Sequence, residues 1–238
     1  MPTTNRLETT AVSTQEVQFN DSTDIAGTMM SAFHEDPLWA SLWSSHMSFE
    51  DIIKDCAARM PWNLVKAGIA TPLIGYARCR LQALALADST EVCWPSTLPP
   101  VASDDERRVY EQQFQAVTTV GGQIQGLDHQ REVDLSRLIE DAEQRLIGDS
   151  TGLLELEYLA VHPAHQRTGI GRLLLLQGLA IADQLGVKTL VIAKNAGVKL
   201  YQAQGFCEVD KVVQCRPEYG WETPHVTTFL VREPRTRA

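Results

Sequence analysis

The chain has 238 residues, 44% hydrophobic and 21% charged, with a formal net charge of -9, which is enough apolar material for one large domain with a sizeable core. The acidic balance argues against a sequence-independent grip on nucleic acid or on an anionic membrane and suits an amine-bearing small substrate better. Residues Met1–Asn20 show neither an apolar leader core nor an Arg-rich amphipathic pattern, and no run of about 18 apolar residues occurs, so the expected location is cytoplasmic and no membrane partner is expected. Five cysteines at irregular spacing, Cys56, Cys79, Cys93, Cys207 and Cys215, contain no CxxC and suggest neither a zinc site nor a disulfide framework.

In chain order, the Thr- and Ser-rich residues 1–14 read as a flexible terminus. A single domain is expected over 15–232, and 233–238 reads as a flexible tail. Glu16–Phe19 reads as a short strand, and Asn20-Asp21-Ser22 supplies capping side chains for a helix through Ala26, Met29, Met30 and Phe33, ended by His34-Glu35-Asp36-Pro37. The segment AFHEDPLWASLW then brings Phe33, Leu38, Trp39, Leu42 and Trp43 close together. These rings either wall a pocket or cap the core.

Phe49, Ile52, Ile53 and Cys56 predict a helix over Ser48–Met60, stopped by Pro61. Two runs, Leu64–Thr71 and Leu73–Leu81, read as an antiparallel hairpin. Residues 83–150 break this rhythm with a Pro-rich patch, a charged helix over Ser103–Val120, the Gly121-Gly122 break and an amphipathic helix placing Leu135, Leu138, Ile139, Ala142 and Leu146 inward. They read as a helical insertion packed on the domain, either a lid or a homodimer surface.

Leu153–Phe206 carries the strongest signal: an apolar strand, a turn with two close glycines, a long amphipathic helix, a second strand and a short helix. In QRTGIG, Gly169 and Gly171 lack side chains where a helix begins, so a bulky anion can approach the N–H groups at its positive end. A dinucleotide fingerprint would need a third glycine at Leu174, and a Walker loop would need Gly-Lys-Ser/Thr; both are missing. Cys207–Cys215 and Val226–Val231 follow as strands, joined by a loop with Tyr219 and Trp221.

Gln166, Gly169 and Gly171, with LAVHP upstream and LYQAQGF downstream, resemble the acetyl-CoA site of the GNAT superfamily of N-acetyltransferases. The resemblance implies an α/β fold with a mixed, twisted central sheet flanked by helices, and acetyl-CoA as the acyl donor. It implies that the backbone of Leu159, Ala160 and Val161 pairs with the pantetheine arm. It also implies that N–H groups of Arg167, Thr168, Gly169, Ile170, Gly171 and Arg172 hold the pyrophosphate, with Arg167 and Arg172 available for side-chain contacts. Asn195 matches a pantetheine-contacting position, although a helix N-cap would explain it too.

A protonated amine cannot attack a thioester, so a base is needed. Strand alternation places Glu155, Glu157 and Leu159 on one face and Leu156, Tyr158 and Ala160 on the other. Glu157 is the favoured base, nearer to where the strand should splay, with Glu155 as relay or alternative. Tyr201 occupies the family's tyrosine position and would protonate the departing thiolate. The expected activity is acetyl transfer to the amine of a small metabolite by direct attack in a ternary complex. A different acyl donor, or an acyl-CoA-binding module without turnover, remain as alternatives. The acceptor pocket is expected between AFHEDPLWASLW, the segment after Leu81 and Tyr219–Trp221, with Asp36 either binding a cationic acceptor or stopping its helix.

Overall fold

Period-two and period-3.6 patterns alternate along the chain, and the folded protein follows them with a few instructive departures. The computed structural model describes residues 17–66, 75–81, 102–148, 152–219 and 221–235. Among these residues five strands, β1 (Gly75–Leu81), β2 (Leu153–Val161), β3 (Lys188–Lys194), β4 (Cys207–Arg216) and β5 (Trp221–Arg232), form one sheet in the order β1-β2-β3-β5-β4. Only β2 and β3 run parallel. Parallel neighbours need a long crossover, which is the helix α6 (Ile170–Leu185) between them.

The described helices before β2 are α1 (Ser22–His34), α2 (Pro37–Ala40), α3 (Phe49–Lys66), α4 (Asp104–Ala116) and α5 (His129–Ile147); α7 (Asn195–Gln202) follows β3. One sheet face is covered by α1 and α3, where Ile25, Met29, Ile52, Cys56, Met60 and Leu64 pack with Ala160 and Tyr158. On the other face, Leu174, Leu175 and Leu179 of α6 and Tyr201 of α7 pack on Leu156, Val191, Ala193 and Leu230. The mixed sheet between two helical layers is the architecture expected from the sequence.

Local physics explains the departures. Pro61 does not stop α3, which continues to Lys66. Ile52, Cys56, Met60 and Leu64 recur every four residues and are all buried. Continuing that apolar stripe outweighs the roughly 3 kcal/mol lost at an interior proline. Leu64–Lys66 therefore belong to a helix, and the expected first hairpin strand is lost there; 67–71 lie outside the described residues. The strand partner of β1 is β2. Near the N-terminus no strand forms over Val17–Phe19, because Phe19 begins a short 3-10 turn in which Gln18 N–H donates to the Asp21 carboxylate at 2.8 Å. Glu16, the flexible terminus 1–14, the Pro-rich patch and Cys93 lie outside the described residues.

Capping residues set the helix starts in 102–148. Ser103 and Glu106 form a reciprocal capping box on α4, and Asp128 accepts from Arg131 N–H at 3.0 Å to begin α5. On α5, Leu135 and Ala142 are buried as expected, but Leu138 is 40% exposed rather than inward. The segment ties onto the sheet edge and the Trp-rich segment: Gln214 Nε2 donates to Leu135 O at 3.0 Å, Tyr219 Oη to Asp134 Oδ2 at 2.9 Å, and Trp43 bridges Leu127.

One ion pair closes the far end of the molecule. Arg232 on β5, 3% exposed, donates to both carboxylate oxygens of Asp183 on α6 at 2.7 and 2.8 Å, and Arg235 N–H adds a bond of 2.7 Å. These bonds, the Arg232 side-chain bond first, hold the Asp183 pKa below its usual value, against the opposing effect of burial. Stability from this group is thus full above the ordinary aspartate range and is lost as pH falls through its depressed folded-state value. Asp183→Asn should cost about 2 kcal/mol at neutral pH, because a buried guanidinium loses its counter-charge. In urea denaturation the gap between wild type and variant should close as pH falls below about 4; a gap that widened in acid would contradict this account.

Candidate active site

Two strands that separate create the site. β2 and β3 pair only from Leu153↔Lys188 to Leu156↔Val191, after which β3 continues to Lys194 against β5. On its other side β2 stays paired with β1 through Val161↔Gly75. Beyond Leu156, one backbone edge of Glu157–Val161 therefore faces no strand among the described residues. Such a free edge can accept an extended, amide-bearing ligand as an added strand.

The register of β1 on β2 shifts between Arg78↔Tyr158 and Cys79↔Leu156, so Glu157 is the extra residue of a bulge. This corrects the alternation read from sequence. Leu156, Leu159 and Val161 join the α6 cluster, whereas Tyr158 and Ala160 join the α1–α3 cluster. A bulge keeps two successive side chains on one side. Leu159 consequently does not share a face with Glu157; Tyr158 does.

Arg78 organises that face. Its Nε lies 2.5 Å from Glu157 Oε2, a contact whose angle makes it charge pairing rather than a well-formed hydrogen bond, and its guanidinium stands 4.6 Å from the Tyr158 ring centroid. Glu157 is largely shielded, with a side-chain exposure of 15%, and Glu155 is buried at 6% two residues deeper. Tyr158 starts an aromatic wall: Phe33 lies 6.1 Å from it, Trp39 6.2 Å from Phe33 and Trp43 5.3 Å from Trp39. Phe33, Trp39 and Trp43 pack against the α1–α3 core, the core-capping role that their composition suggested. The sequence reading of Leu73–Leu81 as a strand did not single out Arg78, because its partners Glu157 and Tyr158 lie on another strand.

The glycine turn lies at the end of β2. After the short turn Pro163–His165, Arg167 and Gly169 both take positive φ, 62° and 94°. Nothing lies within 4 Å of where a Gly169 side chain would begin, so the approach is open. The first helical bond of α6 is Leu173 N–H to Gly169 O at 3.0 Å, leaving the preceding N–H groups of Ile170, Gly171 and Arg172 outside the ladder. At Gly171 an added Cβ would come into ordinary van der Waals contact with Leu200 Cδ2 at 3.4 Å and Val161 Cγ2 at 3.6 Å, so this part of the turn packs directly on α7 and β2. Arg167, Thr168 and Arg172 are exposed at this mouth. Gln166 Nε2 donates to Glu35 Oε2 at 3.1 Å and to Val161 O at 3.4 Å, tying the turn to the end of α1.

Tyr201 stands on the opposite, α6 side of the sheet from the carboxylates. It is 6% exposed, packs edge-on to Phe206 at 5.7 Å, and is held in place by Gly197, where an added Cβ would lie 2.8 Å from its ring. Burial first, and the Cys79 thiol second, push its pKa well above the ordinary phenol value. Asn195 is the first residue of α7 and exposed; the N-cap is Lys194, so Asn195 is not the helix cap.

Comparison with known proteins agrees with this geometry. A family profile described as Acetyltransferase (GNAT) domain matches residues 123–208. Over those residues the chain is similar to a GNAT acetyltransferase domain. Arylalkylamine N-acetyltransferase 2 from Aedes aegypti is similar in fold at 9% identity, covering 94% of this chain and 99% of that one with a TM-score of 0.56. Drosophila melanogaster polyamine N-acetyltransferase is similar at 10% identity, covering 93% and 99% with a TM-score of 0.53. Against the ribosomal-protein-S18-alanine N-acetyltransferase from Escherichia coli, at 21% identity and a TM-score of 0.31, the similarity spans 36% of this chain and 57% of that chain. No curated protein matches the chain significantly in sequence. Among the described residues, no helix is long and apolar enough to cross a membrane and no His, Cys, Asp and Glu cluster fits a metal ion.

The cysteines provide a check on these positions. Burial raises the Cys56 thiol to about 11 and the Cys79 thiol, with added influence from Glu157 and Glu155, to about 12, while Cys207 and Cys215 are exposed. Only thiolates react readily with disulfide reagents. Peptide mapping after brief labelling of the native protein at pH 8 should find Cys207 and Cys215 modified and Cys56 and Cys79 protected until denaturant is added. Rapid native labelling of Cys79 would place it outside the core.

Proposed function

We propose that the chain transfers the acetyl group of acetyl-CoA to the amine of a small molecule by direct attack. The observation that carries this reading is the parting of β2 from β3, with carboxylates on one side of the gap, Tyr201 on the other and the glycine turn at its end. Acetyl-CoA fits these features: the free edge of Leu159, Ala160 and Val161 suits the amides of its pantetheine arm. The open turn from Arg167 through Thr168, Gly169, Ile170 and Gly171 to Arg172 suits its pyrophosphate. Gln166 braces that turn, and Asn195 stands at the opposite lip of the gap. When bound, acetyl-CoA supplies an acetyl group on a thioester that an unprotonated amine displaces.

The side chains then divide the proton traffic. Glu157, oriented by Arg78 at the bulge, takes the amine's proton directly or through water, with Glu155 as the relay beneath it. Tyr201 gives its proton to the departing thiolate from the far side of the sheet. Its raised pKa keeps the phenol protonated through the neutral and mildly alkaline range, so the donor is present wherever the amine is free. The wall of Phe33, Trp39 and Trp43 provides apolar surface for the acceptor's body.

A thiol-release assay over an amine panel tests the assignment. Glu155→Gln combined with Glu157→Gln should lower kcat by about 100-fold or more and shift the pH profile to higher pH. Unchanged turnover across the pH range would remove both carboxylates from the chemistry. Tyr201→Phe should lower kcat about 10- to 100-fold with KM for acetyl-CoA little changed. In the wild type, Tyr201 should cause no alkaline fall in activity below pH 10, since its titration is displaced upward. Calorimetric binding of acetyl-CoA without thiol release from any amine would instead mark an acyl-CoA-binding module.

A further inference from the structure

Lys194 was not singled out by its sequence, yet it lies where the acceptor would enter. It is the last residue of β3, three positions beyond the final β2–β3 pair at Val191. Val191 and Ala193 point into the α6 cluster, so alternation turns Lys194 to the opposite face, the one that carries Glu155, Glu157 and Tyr158. Its Cα partner Thr227 confirms that direction, since Lys194 Nζ donates to Thr227 Oγ1 at 3.4 Å. Across the cleft stands Asp36, which caps α2 through Leu38 N–H at 2.9 Å and acts electrostatically on the Lys194 ammonium.

The ammonium is under-used. An ammonium has three donors, and the Thr227 hydroxyl occupies one of them with a long bond. No carboxylate lies within ion-pair distance of Lys194 among the described residues, and Asp36 is a more distant influence. Two guanidiniums are already engaged, Arg78 by Glu157 and Arg131 by the carbonyl oxygen of Ser41 and by Asp128. Lys194 is exposed to an incoming ligand, and partial desolvation of its ammonium, opposed by the charge of Asp36, holds its pKa below the usual lysine value. A cation with spare donors is a strong partner for an anion and a poor neighbour for a second cation.

We infer that Lys194 binds a carboxylate on the acceptor while Asp36 faces its cationic end, so the preferred acceptor is an amino-carboxylate rather than a simple amine or polyamine. A singly charged group matches a single ammonium that has Asp36 as its charged neighbour; a dianionic phosphate would be repelled by that carboxylate. The apolar body of the acceptor lies against Trp39 and Trp43. Lys194 is a specificity residue here, not a proton carrier. The inference rests on the acetyl-transfer reading above and narrows its acceptor.

The test uses the full chain with acetyl-CoA and matched pairs that differ only by the carboxylate: phenylalanine with phenethylamine, leucine with isoamylamine, and lysine with cadaverine. The quantity read is the ratio of kcat/KM within each pair. Wild type should favour the carboxylate-bearing member, and Lys194→Met should reduce the ratio by about 10- to 100-fold, mostly through KM, as loss of a charge-assisted hydrogen bond does. Lys194→Arg should keep most of the preference, and Lys194→Glu should reverse it in the lysine and cadaverine pair. Calorimetric acetyl-CoA affinity checks that each variant is folded. Turnover that favours the plain amines, or a ratio unmoved by Lys194→Met, overturns the inference and leaves acetyl transfer standing. No thiol release from any member of any pair overturns both.

Discussion

The extra residue at Glu157 is the constraint on which the active region depends. A strand flanked on both sides has its backbone groups committed to neighbours and can offer none to a ligand. By lengthening β2 relative to β1 at this point, the bulge turns the chain's faces over and coincides with the parting from β3 just past Leu156. The result is a free edge in the middle of a sheet, where it is sheltered by α1 on one side and α6 on the other. An edge exposed at the rim of a sheet would invite pairing with other chains; one enclosed in a gap is protected from that.

Charge is arranged around the same gap. The carboxylates of Glu155 and Glu157 are kept on the α1 face, where Arg78 steadies the second of them, and the phenol of Tyr201 is kept in the apolar α6 layer. The carboxylate thus has a cation beside it that favours its ionised form, and the phenol sits in a medium that disfavours its anion. Distant packing maintains this separation. The Asp183–Arg232 pair ties α6 to β5, and Gly197 leaves room for the Tyr201 ring on α7.

The strand, turn and helix from Leu153 to Leu185 were legible from residues alone because they depend on local chemistry. The strand ending at Val161, Gly169 with its positive φ and the amphipathic helix after it are contiguous. The errors arose where a local rule met a tertiary one. Pro61 reads as a stop until the buried stripe through Leu64 is seen to continue, and Leu64–Lys66 read as a strand for the same reason. Asn195 reads as a cap until the helix start is placed one residue earlier, at Lys194.

QRTGIG and its flanks by themselves determined the GNAT reading of the donor side, since glycine placement, strand end and helix start are encoded within one contiguous stretch. Which face each β2 side chain takes was decided only by tertiary structure, because a bulge is a property of two strands in register and has no signature in one of them. The same holds for Arg78 with Glu157 and for Asp36 with Lys194, since each pair joins residues from separate elements that only the fold brings within reach of each other.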